Sequence, residues 1–80
     1  MTDLEIKLKA IIVKTTGAEE SEVGPGVSLI NDLGADSLDM VEMIMETEKE
    51  FGISIPDDKV DGLMTFDSLV EYVKEKTGQE

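Results

Sequence analysis

The sequence predicts an all-α fold: a small bundle of three main helices and one short helix, with a long first loop. Three observations predict it. Apolar residues recur at helical spacing in three segments, no segment shows sustained strand-like alternation, and capping residues and glycines stand where those segments begin and end. With 80 residues, the chain is expected to form one domain over residues 1–80. Its core is small, because a chain of this size keeps much of its surface in water.

The first helix opens with Thr2 and Glu5, the spacing of a capping box. Leu4, Leu8, Ile11 and Ile12 share one helical face, and Gly17 supplies a stop. The β-branched run Ile11-Ile12-Val13 is a weak strand signal that periodicity and the cap override. Residues 17–36 read as an ordered loop pinned to the core by Val23, Val27, Leu29, Ile30 and Leu33. It has room for a short helical turn, and Gly24-Pro25-Gly26 is expected to be its most mobile part. The second helix runs from about Ser37 to Phe51, with Asp36 or Ser37 as N-cap and Gly52 just beyond its end. Ile53-Ser54-Ile55-Pro56 reads as extended, and Asp57 to Asp61 as one helical turn started by Pro56. The last helix begins after Thr65 with Phe66, Leu69, Val70 and Val73 at helical spacing. Lys74 and Lys76 suit the dipole of its last turn, and Gly78 follows.

Composition removes whole classes of function. Cysteine and histidine are absent, so disulfides, cysteine-bound metals, thiol catalysis and Ser-His pairs cannot be built from this chain. Any chemical role then needs a reactive group from elsewhere. Nineteen Asp and Glu against seven Lys give a formal charge of −12. Such a polyanion is repelled by nucleic acid and by anionic membranes, and its expected partners carry basic patches. The start, MTDLEIKLKA, has no basic segment followed by an apolar stretch, and no apolar run reaches the roughly 18 residues of a membrane span. The expectation is a cytoplasmic monomer without membrane insertion.

The most informative stretch is Asp32-Leu33-Gly34-Ala35-Asp36-Ser37-Leu38-Asp39. Gly34 permits a tight turn, and Ser37 then stands at a helix start, where free N–H groups and the dipole favour an attached phosphate. A serine there is ordinarily a cap. The rest of the helix points to more. Advancing roughly 100° per residue, Asp39, Glu42, Glu46 and Glu50 fall in one acidic sector with Lys49 at its edge. The apolar arc is too wide for one packed stripe, and Glu48 splits it. Met40, Met43, Ile44, Thr47 and Phe51 form the inward part. Leu38, Val41 and Met45 are left on the outside, an apolar strip rimmed by acids that suits docking.

On Leu33 to Asp39, Val41-Glu42, Glu48-Lys49-Glu50-Phe51 and Ile55-Pro56-Asp57, the chain resembles the acyl carrier proteins of dissociated (type II) fatty acid synthesis along nearly its whole length. The resemblance implies an acyl-carrier-protein-like bundle and a covalent cofactor, 4′-phosphopantetheine. In that family a magnesium-dependent carrier-protein synthase transfers it from coenzyme A to the serine matching Ser37, supplying the thiol this chain lacks. By the same resemblance, Asp36 and Asp39 engage the modifying enzyme. Leu38, Val41, Glu42, Met45 and Glu48 form the surface for basic partners: the carrier-protein synthase, ketoacyl synthases, reductases, dehydratase and acyltransferases. Thr47, Ile55, Leu63, Leu69 and Tyr72 match positions around the cavity that shelters acyl chains. Three positions depart from the pattern: Thr47 replaces a larger aliphatic residue, Glu46 a small one, and Lys49 interrupts an acidic run.

Carriers of polyketide, lipid-modification or peptide pathways share the fold and the modified serine and stand as the nearest alternative. Peptide carriers usually have a Gly-Gly-x-Ser motif and a less acidic second helix. A calcium sensor fails the loop test, because counting from Asp32 puts Ser37 where glycine is needed and Met43 where a bidentate Glu is needed. An adaptor fits the docking strip but leaves Ser37 unexplained. An enzyme would need carboxylates or a lysine desolvated in a pocket that a chain this small hardly offers.

Overall fold

The computed structural model describes residues 2–78. It contains α1 (Asp3–Thr16), a 3₁₀ turn (Glu20–Glu22), α2 (Ser37–Phe51), the one-turn α3 (Asp57–Val60) and α4 (Phe66–Thr77). Among the described residues there are four α-helices and no strand, only an isolated antiparallel bridge between Ser28 and Thr65. This is the expected bundle of three main helices and one short helix.

Each long helix is delimited by its own sequence. At α1 the Glu5 N–H donates to Thr2 Oγ1 at 3.2 Å, and the Thr2 N–H donates to the Glu5 carboxylate at 3.1 Å. Reciprocal boxes of the same kind open α2 (Asp36 with Asp39) and α4 (Thr65 with Ser68). All three end on a left-handed glycine, Gly17, Gly52 or Gly78, where a side chain would be strained.

The core joins the inner faces. Leu4, Leu8 and Ile12 of α1 meet Met43 and Thr47 of α2 and Phe66, Leu69 and Val73 of α4, all essentially inaccessible to water. Thr47 is buried without an orphaned hydroxyl, because its Oγ1 donates to the Met43 carbonyl at 2.7 Å. Two ion pairs tie α1 to α2, Lys7–Glu50 at 3.9 Å and Lys14–Glu46 at 3.6 Å. Their exposed side chains limit each to about 0–1 kcal/mol, whereas one buried leucine contributes about 1.5–3 kcal/mol. Apolar packing therefore decides the stability.

The loop from residue 17 to 36 is ordered by its backbone as much as by its side chains. The Leu29 N–H donates to the Met64 carbonyl at 2.8 Å, and the Phe66 N–H to the Val27 carbonyl at 3.0 Å. Asp67, in the first turn of α4, accepts the N–H of Gly26 at 2.7 Å, which pins the Gly24-Pro25-Gly26 corner. Of the five expected anchors, Val23 and Leu29 are buried and Val27 and Leu33 half-buried, but Ile30 is 41% exposed. Ile30 is not an anchor. The Gly34 N–H donates to its carbonyl, closing a turn that swings its side chain off the core, and Ala35 is buried next in the chain.

Candidate functional site at the start of α2

The turn at Gly34, with φ at +71°, brings the chain into α2. Asp36 is the N-cap. Its carboxylate accepts the Asp39 N–H at 2.8 Å, and the Asp39 carboxylate accepts the Asp36 N–H at 3.3 Å. Ser37 is thus the first helical residue. Its side chain is exposed, and its hydroxyl has no hydrogen-bond partner among the described residues. Capping does not explain this serine, because Asp36 does that work. The box also occupies the Asp39 N–H.

Along α2, Met40, Met43, Ile44 and Thr47 are buried and Phe51 is half-buried. Leu38 (65%), Val41 (54%) and Met45 (62%) are exposed, as their positions on the helix predicted. Only two other large apolar residues, Ile6 and Ile30, are comparably exposed among the described residues. The acids beside the strip differ in freedom. Glu42 is exposed and makes no ion pair among the described residues, whereas Glu46 and Glu50 are engaged by Lys14 and Lys7. The Glu48 carboxylate is half-buried and accepts the Ile55 N–H at 2.7 Å, not a lysine.

A half-open groove of about 730 Å³ lies between α2, the loop before it and the segment containing α3. Ile30, Ala35, Met40, Val41, Ile44, Met45, Ile55, Val60 and Met64 make its apolar lining, joined by Asp36, Ser37, Glu48 and Asp57. Of Thr47, Ile55, Leu63, Leu69 and Tyr72, only Ile55 lines this groove. Thr47, Leu63 and Leu69 lie in the bundle core. Tyr72 is half-buried on α4, where its hydroxyl donates to the Ser54 carbonyl at 3.3 Å and Lys76 stands 5.5 Å from the ring centre. The lining residues the sequence did not single out for a cavity include Met40 and Ile44, one turn apart on α2, whose spacing marks them only as inward-facing. Val60 and Met64 reach the groove through tertiary placement of α3, which no local pattern reports.

An accessible helix-start hydroxyl thus stands beside an apolar groove. The model of the phosphopantetheine attachment site family matches residues 7–73, and the chain belongs to that family. It is a carrier protein bearing covalently attached 4′-phosphopantetheine, of a class that carries acyl or peptidyl groups without catalysing their reactions, and its work brings it to modifying enzymes and synthases. The group fits what is seen here: a free, exposed hydroxyl and an adjoining apolar groove. No described helix is long and apolar enough to cross a membrane.

Proposed function

We propose that residues 1–80 act as a single acyl carrier domain of dissociated fatty acid synthesis in the cytoplasm, with 4′-phosphopantetheine on Ser37 Oγ. The observation that carries this reading is the exposed Ser37 hydroxyl, left without a structural task because Asp36 caps the helix. The bound group supplies a flexible arm ending in a thiol that holds acyl chains as thioesters. Asp36 and Asp39, exposed or half-buried at the helix start, face the modifying enzyme. Leu38, Val41 and Met45 present the apolar contact, and Glu42 its free charge, to basic surfaces of the carrier-protein synthase, ketoacyl synthases, reductases, dehydratase and acyltransferases. The net charge of −12 speeds those encounters.

The apolar groove beside Ser37 shelters the front of the acyl chain. Glu46 and Thr47, two of the positions that depart from the fatty-acid pattern, lie outside it: Glu46 pairs with Lys14, and Thr47 bonds to its own helix. Neither of these two departures therefore alters the groove. Incubation with coenzyme A, Mg²⁺ and a phosphopantetheinyl transferase should add one phosphopantetheine to the intact mass of the wild type and none to Ser37→Ala. Modification of the variant would move the site elsewhere. Fatty acyl groups in the mass spectrum of the cellular pool support the pathway, and polyketide or aminoacyl groups overturn it.

A further inference from the structure

Glu48 collects three backbone donors from the segment that follows its helix. Its carbonyl accepts the N–H of Gly52, the left-handed cap, and the N–H of Ile53 at 3.2 Å. Its carboxylate reaches past them to the N–H of Ile55 at 2.7 Å. Ile55 is buried and lines the groove, as does Glu48 itself. Immediately beyond, Pro56 starts α3, a single turn with no side-chain cap that contributes Asp57 and Val60 to the same wall. The wall facing α2 has little helix of its own to hold it, and Glu48 spans the distance to it with a 2.7 Å hydrogen bond to the Ile55 N–H.

We propose that Glu48 is a positioning residue that latches the Ile55–Val60 wall against α2 and so sets how well the groove retains an acyl chain. This rests on the reading of the groove as the acyl shelter. The role is one of reach, not of charge: the acceptor oxygen must extend to the Ile55 N–H. It differs from the docking role that the family resemblance gives this position.

Two variants separate reach from charge. Glu48→Gln keeps the length and an acceptor oxygen but loses the charge, and Glu48→Asp keeps the charge but is one methylene short. Each protein is loaded with acetyl- or octanoyl-phosphopantetheine from the corresponding acyl-coenzyme A by a phosphopantetheinyl transferase with Mg²⁺, adenosine 3′,5′-bisphosphate leaving. Thioester cleavage by hydroxylamine is then followed by intact mass, with no partner enzyme present to read docking. In the wild type octanoyl should be cleaved more slowly than acetyl, and Glu48→Gln should preserve that protection. Glu48→Asp should lose it by about threefold or more, as expected from losing one partly exposed hydrogen bond. Protection kept by Asp and lost by Gln, or equal in all three proteins, overturns the latch alone. Equal cleavage of acetyl and octanoyl on the wild type overturns the acyl-shelter reading and the latch with it. Amide exchange at Ile55 in the unacylated proteins gives a readout independent of any acyl chain: slow in wild type and Gln, faster in Asp. Fast exchange in the wild type also overturns the latch. Glu48→Ala replaces the aspartate variant if the latter does not fold.

Discussion

Helices α1 and α2 are assembled from the same local parts. Each starts at a reciprocal capping box, ends at a left-handed glycine and buries four residues in the shared core. They differ in what remains outside. In α1 the periodic residues Leu4, Leu8, Ile11 and Ile12 are all buried, and Ile6 is the one large apolar side chain left exposed. In α2 three such side chains, Leu38, Val41 and Met45, form a strip next to Ser37. Folding accounts for every periodic residue of α1. It does not account for the strip on α2, which costs solubility and adds nothing to the core, and that excess is where the two helices part in purpose.

The largest expected effect tests that division directly. Leu8→Ala, at a side chain with no exposure, should destabilise the domain by about 2–5 kcal/mol in denaturant unfolding. Val41→Ala on α2 should change stability by no more than about 0.5 kcal/mol, while weakening binding to a partner such as the carrier-protein synthase. If Val41→Ala destabilises as Leu8→Ala does, the strip is core and the comparison collapses. If it alters neither stability nor binding, the strip is inert surface.

The caps allow a finer test at about 1 kcal/mol. Asp36→Ala and Thr2→Ala each remove an N-cap acceptor and should each cost about 0.5–2 kcal/mol. Ser37→Ala should cost no more than about 0.5 kcal/mol, because its hydroxyl supports nothing in the fold. Thermal melts of the three variants check this. A Ser37→Ala loss as large as that of Asp36→Ala would return the serine to a capping role and remove the reason for calling it surplus.

These cases also show what the sequence makes legible. Thr2 with Glu5, Gly17, Gly52 and Gly78 act through neighbours within a few positions, so spacing alone locates the helix ends. The exposure of Leu38, Val41 and Met45 follows from the width of the apolar arc, since one stripe cannot bury it all. Asp36 and Ser37 are both good caps, and the choice between them was settled by Asp39 returning a bond to the Asp36 N–H, an aspartate where a box usually has Glu or Gln. Non-local contacts stayed hidden. The Gly26–Asp67 bond spans 41 positions, the groove needs α3 set against α2, and Ile30 leaves the core because of a turn closed behind it. Thr47, Leu63 and Leu69 are apolar or small residues at inward positions, and sequence cannot tell a core position from a groove wall.

The smallest effect concerns the α1 box, whose only evident task is to start a helix. Glu5 is held below its ordinary value of 4.5, chiefly because its carboxylate accepts the Thr2 backbone N–H and also its hydroxyl, with Lys74 adding attraction. A carboxylate depressed in the folded state binds fewer protons there than in the unfolded chain. Stability therefore falls as the medium is acidified through that region. The contribution from Glu5 is complete above 4.5 and is lost as pH drops through the lower folded value. Glu5→Gln keeps an acceptor for Thr2 but cannot titrate, so the stability difference between wild type and variant should shrink on acidification from neutral pH to about pH 3. Melting temperatures across that range measure it, and the change should be slight because water screens the site. A difference that stays constant or widens in acid would show that the box at α1 works without its charge. The box at α1 would then hold its helix start by hydrogen bonds alone.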